Sequence, residues 1–173
     1  DGPLVYNVNH DRLEKVTWWD ALDMIGVSAY FAIPVPPGVT EQEAVKSTTS
    51  KDEVVAGLQR VKAKLAALSA RYNRPVLFIE TGITSVRGCA RYPWSHVDEQ
   101  EASAIDQAEQ ANYYAAMLAT FWNEPWFSGF AWWEWPARLY DPAAAQTDRA
   151  FCIYGKAAEQ VVREWYAKPA PHE

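Results

Sequence analysis

Short apolar runs alternate with longer segments of helical periodicity, and this alternation predicts the order of the elements. The runs of strand length lie at 4–9, 24–31, 76–79 and 127–135. The segments with apolar residues at helical spacing lie at 11–22, 51–72, 99–122 and 156–167. Because each strand is followed by a helix, the pattern predicts a β-α-β-α-β-α-β-α order, with helices packed on a parallel sheet.

The segment 51–72 gives the strongest helix signal. Ser50 precedes it and Glu53 follows three residues later, which is the spacing of a capping box. One apolar stripe runs along the segment, formed by Val54, Leu58, Val61, Leu65, Leu68 and Tyr72. Pro75 cannot continue a helix, so the pattern predicts an end near Asn73.

Side-chain size along the strands favours the inside of a barrel over an open, flavodoxin-like sheet. In the second strand, one face carries the small Gly26 and Ser28 and ends at Tyr30. The matching face of the last strand consists of Gly129, Ala131, Trp133 and Trp135. Small residues low on a strand and large ones at its C-terminal end suit a barrel interior. No glycine-rich phosphate turn follows any strand, which disfavours a nucleotide-binding fold.

Chain length limits how much of a barrel can form. A complete (β/α)₈ barrel needs roughly 200 residues or more, whereas the chain has 173 residues. We therefore predict an α/β fold that is a (βα)₄ half of a TIM barrel. In this prediction 1–173 form a single domain, with a flexible tail at 168–173. The start at Asp1, with neither an initiator Met nor a signal peptide, suggests a chain that was processed, trimmed or cut from a longer one.

Composition narrows the classes of partner. The net charge is -6, and an acidic chain without a basic stripe makes nucleic acid an unsuitable ligand. No apolar run approaches the length of about 18 residues that a membrane span needs. The two cysteines, Cys89 and Cys152, are too few for a disulfide scaffold and are predicted to be free thiols, with a single bridge between them as the alternative. The three histidines show no metal-ligand spacing among themselves or with the cysteines, so a zinc site is not expected.

Glu80 is the main candidate for chemistry. It closes the apolar strand 76–79, so its side chain is expected at the C-terminal rim, where barrel enzymes place catalytic groups. A carboxylate beside aromatic residues suits nucleophilic attack on the anomeric carbon of a sugar. Tyr30, which ends the neighbouring strand, is placed to donate a hydrogen bond to it. The alternative is a structural ion pair between Glu80 and Arg87 or Arg91.

Aromatic residues near the strand ends are candidate sugar platforms, because a flat indole stacks on the apolar face of a pyranose through CH and dispersion contacts. The candidate substrate-binding residues are Tyr30, Trp94, Trp133 and Trp135, with Asn9 at the end of the first strand. The alternative is that the tryptophans belong to the core or, for Trp94, anchor a loop. Because Pro136 already leaves the strand, at least one indole of the last strand should be accessible.

Many sugar-cleaving enzymes carry their acid catalyst in an Asn-Glu-Pro triplet, and this chain has one at Asn123-Glu124-Pro125. Its position in the chain argues against this role. Glu124 follows a helix and precedes the last strand, so it should lie at the opposite end of the strands from Glu80. A strand of six to eight residues rises about 3.3 Å per residue, which separates the two by roughly 20 Å or more. Paired glycosidase carboxylates lie about 5–5.5 Å apart in retaining enzymes and about 6.5–9.5 Å apart in inverting ones. We interpret the triplet as a helix stop.

Two further acids are weaker candidates. Glu134 alternates away from Trp133 and should contact a flanking helix or the upper loops. Asp141 lies in the last βα loop, where the Asp-Pro sequence favours a turn over a contact with a sugar hydroxyl.

Four stretches of the sequence together resemble the C-terminal half of clan A glycoside hydrolases. They are WWDALDMIGVSAYF, PVLFIETGITS, EQANYYAAMLATFWNEPWFSGFAWWEW and YGKAAEQVVREWY, in this order. The similarity covers nearly the whole chain and is greatest to the family 113 β-mannanases. It implies that the four strands are strands 5–8 of a (β/α)₈ glycosidase barrel.

The resemblance also implies residue roles. In that family, the strand that corresponds to 76–80 carries the catalytic nucleophile, which assigns this role to Glu80. Tyr30 matches a substrate-site position. The sugar-stacking region is matched by Trp132, Trp133 and Trp135.

The chain departs from the family pattern at two points. The family continues its nucleophile motif as Glu-Ile-Gly-Tyr, whereas this chain has Glu-Thr-Gly-Ile at 80–83, a difference that concerns the choice of substrate. The acid/base glutamate of the family lies on the fourth strand of the full barrel, and this chain resembles the family from the fifth strand onward.

Two hypotheses follow for function. In the first, the chain is the C-terminal half of a retaining hydrolase of a β-linked, mannan-like polysaccharide, and an N-terminal half supplies the acid. This hydrolysis needs neither a metal nor an organic cofactor. Alone, such a chain would be weakly active or inactive. In the second, it is a non-catalytic half barrel or carbohydrate-binding module, and two copies close its open sheet edges as a homodimer.

Overall fold

Four parallel strands form one sheet in the order β1-β2-β3-β4 in the computed structural model, which describes residues 2–96 and 103–169. The strands are β1 Val5–Asn9, β2 Met24–Ser28, β3 Val76–Thr81 and β4 Phe127–Trp132. All neighbouring pairs are parallel, which confirms the predicted α/β class and parallel sheet.

The described helices are α1 Glu41–Ala44, α2 Lys51–Tyr72, α3 Gln107–Phe121 and α4 Ala157–Tyr166. The last three contribute side chains to the core on one face of the sheet, whereas α1 lies in the loop after β2. The predicted capping box of α2 is confirmed. The Ser50 hydroxyl accepts a hydrogen bond from the backbone N–H of Glu53, and the Glu53 carboxylate accepts one from the backbone N–H of Ser50. Asn73 ends α2 in the left-handed conformation that this residue type tolerates. Within the described ranges, no helix has the length and apolar character needed to cross a bilayer.

The predicted helix at 11–22 is wrong, and this changes the predicted β-α order at its first step. The segment forms two short 3₁₀ turns, Leu13–Lys15 and Trp19–Ala21. Trp19 is fully buried, and its indole N–H donates to the Leu13 carbonyl at 3.2 Å. Burial of this large ring fixes a compact, non-helical path between β1 and β2, which overrides the weak helical periodicity.

Several predicted element ends also shift. The strands β2 and β4 end at Ser28 and Trp132, so Tyr30, Trp133 and Trp135 lie in the loops beyond them. The helix predicted from residue 99 starts at Gln107, and 97–102 lie outside the described residues. Of the predicted flexible tail, 170–173 also lie outside the described residues.

The core between sheet and helices is centred on Phe78 of β3, which is fully buried. Its ring lies within 6 Å of four other phenylalanine rings, those of Phe31, Phe121, Phe127 and Phe130. Most of these contacts are edge-to-face, the geometry that aromatic quadrupoles favour. Through these rings β3 contacts α3, β4 and the loop after β2.

The other face of the sheet carries smaller side chains and is only partly covered. A Cβ at Gly26 would lie 2.6 Å from the Tyr6 carbonyl oxygen and 2.7 Å from the Ile79 side chain, so β1, β2 and β3 approach closely there. The Asn7 amide donates to the Ser28 hydroxyl at 2.9 Å on this same face. Ala131 of β4 is exposed. We call this surface the inner face.

Candidate active site

Glu80 reaches the inner face through an irregularity in β3. Val27 pairs with Phe78, but the next residue, Ser28, pairs with Glu80, so Ile79 is the extra residue of a bulge. Strict alternation would turn Glu80 to the helix side together with Phe78. The bulge resets the alternation and aims the carboxylate toward the Ser28 side of the sheet, at the C-terminal end of the strands.

Tyr30 contacts this carboxylate directly. Its hydroxyl donates to Glu80 Oε1 at 2.5 Å, the short distance of a charge-assisted hydrogen bond. Burial first, and then the hydrogen bond to Glu80, raise the pKa of Tyr30 well above its ordinary value. The phenol therefore stays protonated as a donor. The backbone of Ala29 donates to the Glu80 carbonyl at 2.7 Å and holds the two side chains together.

The alternative role of Glu80 as a structural partner of an arginine is not what the structure shows. Arg87 pairs with Asp106 at 3.4 Å. Arg91 pairs with Glu53 at 3.3 Å. Neither arginine therefore forms an ion pair with Glu80.

The loop after β4 passes directly over the end of β3. Trp133 donates its backbone N–H to the Thr81 carbonyl at 2.7 Å, and a cis peptide bond joins it to Glu134. A Cβ placed on Gly82 would lie 1.9 Å from the Trp133 carbonyl oxygen. Only glycine permits this crossing, which places Trp133, whose side chain is 41% exposed, beside the strand end that carries Glu80.

Replacement of Gly82 by alanine is expected to displace Trp133 from the end of β3, because backbone atoms cannot yield to a contact of 1.9 Å without a shift of the loop. We expect a loss of about 1–3 kcal/mol in the free energy of unfolding, which urea unfolding measures. Gly2→Ala is the matched control, since a Cβ on Gly2 meets nothing within 4 Å. An alanine at 82 that leaves the free energy of unfolding unchanged would contradict this role.

The remaining substrate-binding candidates lie at different distances from this cluster. Trp135 is 55% exposed and its ring meets that of Tyr154 edge-on in the loop after β4. Asn9 ends β1 opposite Ser28 and is exposed at the same end of the sheet. Trp94 is the exception: it lines a separate hollow with Tyr92, which neither Tyr30 nor Glu80 lines.

Glu124 lies where the sequence predicted, in the turn between α3 and β4. Its backbone N–H donates to Phe121, and its carbonyl accepts from Phe127, the first residue of β4. Because the strands are parallel, this turn is at the opposite end of the sheet from Glu80. The carboxylate pairs with Lys62 of α2 at 2.5 Å, a contact between two secondary-structure elements.

Glu124→Gln should therefore change the free energy of unfolding only slightly. The amide oxygen still accepts from the Trp126 indole, which lies 3.1 Å away in the native protein. Loss of the partly exposed ion pair with Lys62 is expected to cost about 0–1 kcal/mol. Thermal unfolding measures this cost, and a loss well above this range would contradict a role limited to the turn between α3 and β4.

A buried lysine that the sequence did not single out holds the loop after β4 against the loop after β3. Lys156 Nζ pairs with Asp148 at 2.6 Å and donates to the Ser85 hydroxyl at 2.9 Å. Burial lowers the pKa of Lys156, and the hydrogen bond with Asp148 opposes that shift. A lone lysine before a helix carries no sequence signal for such a role.

A second buried contact orders the loop after β3. Glu109 of α3 accepts from the backbone N–H groups of Gly88 and Ala90 at 2.9 and 3.2 Å, and from the Thr49 hydroxyl at 2.9 Å. Burial raises the pKa of Glu109, and these hydrogen bonds act in the opposite direction. Glu109 therefore fixes the path of the chain from Gly88 onward.

The cysteines take no part in the site. Cys89 and Cys152 are buried, unpaired thiols, which confirms the prediction from their number. Burial raises the pKa of Cys89, so it stays a neutral thiol. Across 2–96 and 103–169, no group of three or more His, Cys, Asp or Glu side chains is arranged to hold a metal ion.

Comparisons with known proteins agree on one family. A model of Glycoside Hydrolase Family 113 matches residues 1–156. The chain is 34% identical to the β-mannanase of Alicyclobacillus acidocaldarius solved in complex with ManMIm, with a TM-score of 0.75 over 96% of this chain and 46% of that chain. It is 30% identical to a GH113 β-1,4-mannanase solved as a complex, with a TM-score of 0.73 over 95% of this chain and 45% of that chain.

More distant similarity concerns the fold alone. The Faecalibacterium prausnitzii β-glucuronidase is 16% identical, with a TM-score of 0.56 over 97% of this chain and 26% of that chain. No curated protein sequence matches the chain. The chain thus spans slightly less than half the length of the mannanase structures that it matches.

Proposed function

Because the chain belongs to Glycoside Hydrolase Family 113, we propose that it supplies the nucleophile-bearing half of a retaining hydrolase of β-linked mannan. Glu80 is the nucleophile in this proposal. The observation that carries it is the position of Glu80 at the C-terminal end of β3, where the Tyr30 hydroxyl holds one carboxylate oxygen at 2.5 Å. The β-mannanases of similar structure support a mannan-type substrate.

The proposed reaction has two displacements at the anomeric carbon. A carboxylate oxygen of Glu80 forms a bond to this carbon while the bond to the leaving sugar oxygen breaks and that oxygen receives a proton from an acid. Water, deprotonated by the same group, then replaces Glu80 and frees its carboxylate. The neutral Tyr30 phenol orients Glu80 and stabilises its negative charge before attack and after release.

The acid/base group comes from outside these 173 residues in our proposal. Retaining enzymes hold their two carboxyl groups about 5–5.5 Å apart, and Glu124 lies at the opposite end of the sheet. Glu134 follows β4 at the same end as Glu80 and is the alternative acid on this chain. The matched mannanases are about twice as long as this chain, which supports an external source.

The open inner face supports the half-barrel interpretation, in which β1–β4 are strands 5–8 of a (β/α)₈ barrel. The edges of the sheet are β1 and β4, and Leu77 and Ile79 are only partly covered on the inner face. Uncovered apolar residues and free strand edges favour association with another sheet. An N-terminal half barrel would complete the cylinder, and a second copy of this chain is the alternative partner.

Substrate contacts are proposed for the side chains around this carboxylate. Trp133, next to the end of β3, provides an indole surface for stacking on a sugar ring, and Trp135 extends it. Tyr30 and Asn9 contribute polar groups at the ends of neighbouring strands. The chemistry requires no metal or organic cofactor.

A second candidate function is non-catalytic carbohydrate binding by a self-associated half barrel. The observation that favours it is the same pair of open edges, which two copies could close by symmetry. Such a dimer would present two copies of Glu80 and bind sugar through its tryptophans, but it would hydrolyse poorly.

Complementation distinguishes the two functions. The chain is mixed with the N-terminal half barrel of the Alicyclobacillus acidocaldarius β-mannanase, and mannohexaose hydrolysis and the anomer of the first product are followed by NMR. Sedimentation analysis gives the mass of the chain alone and in the mixture. Hydrolysis that appears only in the mixture, with retention of configuration, supports the enzyme. A stable homodimer that gives no hydrolysis in the mixture supports the binding module.

A further inference from the structure

A second hollow lies on the surface between the loops that follow β2 and β3. Its volume is about 260 Å³, and its lining includes Ile33, Val35, Val45, Tyr92 and Trp94. We propose that this aromatic hollow, which neither Glu80 nor Tyr30 lines, binds one neutral hexose unit of a β-linked polysaccharide. The inference rests on the proposed function for its choice of ligand.

The two aromatic rings give the hollow its shape. The centroids of Tyr92 and Trp94 lie 6.3 Å apart, and their planes are at 88°. Trp94 is 50% exposed, so a large part of its indole is available to a ligand. A pyranose that stacks on the indole through its C–H groups would meet the tyrosine as a wall at a right angle.

The charged groups favour an uncharged ligand that is rich in hydroxyls. Glu41 lines the hollow and accepts from the Tyr92 hydroxyl at 3.3 Å. This carboxylate can accept further hydrogen bonds from sugar hydroxyls, and it repels anions. Arg91 also lines the hollow, but its charge is already paired with Glu53 at 3.3 Å. Among the described residues that line the hollow, no unpaired cation is therefore left for a phosphate or an acidic sugar.

Hydrogen bonds hold the walls in place without a ligand. Ile33 donates its N–H to the Ala90 carbonyl at 2.9 Å. The buried Arg91 guanidinium donates to the carbonyls of Ile33 and Pro34 at 3.2 and 2.6 Å. The loops after β2 and β3 are thus tied together beneath Trp94. A preformed site loses little conformational entropy on binding. A ligand that makes few contacts, such as a single sugar unit, can therefore still bind to it.

The size of the hollow limits how much sugar it holds. Its volume of about 260 Å³ lies just below the range of about 300–1,000 Å³ for drug-sized ligands. One sugar ring fits this volume better than a long chain segment. A hexose bound here would belong to a polymer whose other units extend to the Glu80 site or into solvent.

The test is titration of the chain with mannohexaose, followed by NMR of the tryptophan indole N–H signals. Trp94→Phe assigns the Trp94 signal. We expect this signal to shift with mannohexaose, and Trp94→Ala to raise the Kd by about tenfold. Trp18→Ala is the matched control, because Trp18 is similarly exposed at 46% and packs on Tyr6 beside β1. Its Kd should equal that of the unmodified chain.

The outcomes separate this inference from the proposed function. A Trp94 signal that does not shift, or a Kd that Trp94→Ala leaves unchanged, overturns the hollow as a sugar site, as does a chain that does not bind mannohexaose. Covalent labelling of Glu80 by an activated fluoro sugar tests separately whether Glu80 is the nucleophile. A labelled Glu80 with a Trp94 signal that does not shift rules out the hollow alone. A shifted Trp94 signal, with Glu80 unlabelled in a complemented chain that hydrolyses mannohexaose, rules out the nucleophile alone.

Discussion

Glu80→Gln is expected to lower kcat/KM for mannohexaose by about 10⁴-fold or more in the completed barrel. The amide is nearly the same size as the carboxylate and still accepts a hydrogen bond from Tyr30, which lies 2.5 Å from the native carboxylate. It lacks the negative charge and the nucleophilic oxygen from which the glycosyl ester forms in the proposed reaction. Initial rates of the complemented chain measure the effect.

Two glutamate variants serve as controls for this result. Glu124→Gln changes a carboxylate at the far end of the strands and should keep full activity. Glu134→Gln changes a carboxylate at the same end as Glu80 and tests the alternative acid. Full activity of a folded Glu80→Gln protein would show that another residue attacks the sugar.

Phe78→Ala is expected to lower the free energy of unfolding by about 3–5 kcal/mol. The native ring is fully buried and lies 4.8 Å from that of Phe127 and 5.0 Å from that of Phe121. Truncation removes the transfer free energy of a phenyl ring and leaves a cavity that the strands on both sides of β3 cannot fill. Urea denaturation followed by fluorescence measures the change.

Phe78→Leu is the matched control for the core, because it keeps an apolar side chain and leaves a smaller cavity. Its cost should lie well below that of the alanine variant. An alanine variant that loses less than about 1 kcal/mol, a change typical of ordinary positions, would show that Phe78 is not the centre of the core. The bulge at Ile79 directly follows this residue, so the same core supports the strand end that carries Glu80.

The parts of the fold that the sequence predicted are those in which local and tertiary preferences agree. The helix α2 has a cap at Ser50, a continuous apolar stripe and a stop at Asn73, and all three features act over a few residues. At 11–22 the periodicity was the only signal, and the burial of Trp19 outweighs it. A competing tertiary contact of this kind leaves no trace in a single sequence.

In the candidate site, too, some features were predictable from the sequence and others depend on tertiary packing. The end of an apolar strand was enough to predict the position of Glu80 and its contact with Tyr30. The direction of the Glu80 side chain depends on the bulge at Ile79, which changes the facing of one residue and has no sequence marker. The close approach of Gly82 to Trp133, and the separate position of Trp94, depend on how two loops pack.

Covalent trapping with 2-deoxy-2-fluoro-β-mannosyl fluoride tests most directly whether Glu80 is the nucleophile. Fluoride leaves without protonation, so attack by Glu80 needs no acid, and the fluorine at C2 slows hydrolysis of the glycosyl ester. Mass spectrometry of the chain, alone and complemented, should show one added 2-deoxy-2-fluoromannosyl group, located on Glu80 by peptide mapping and absent from Glu80→Gln. A label on any other carboxylate, or a complemented chain that hydrolyses mannohexaose without being labelled, would contradict the assignment.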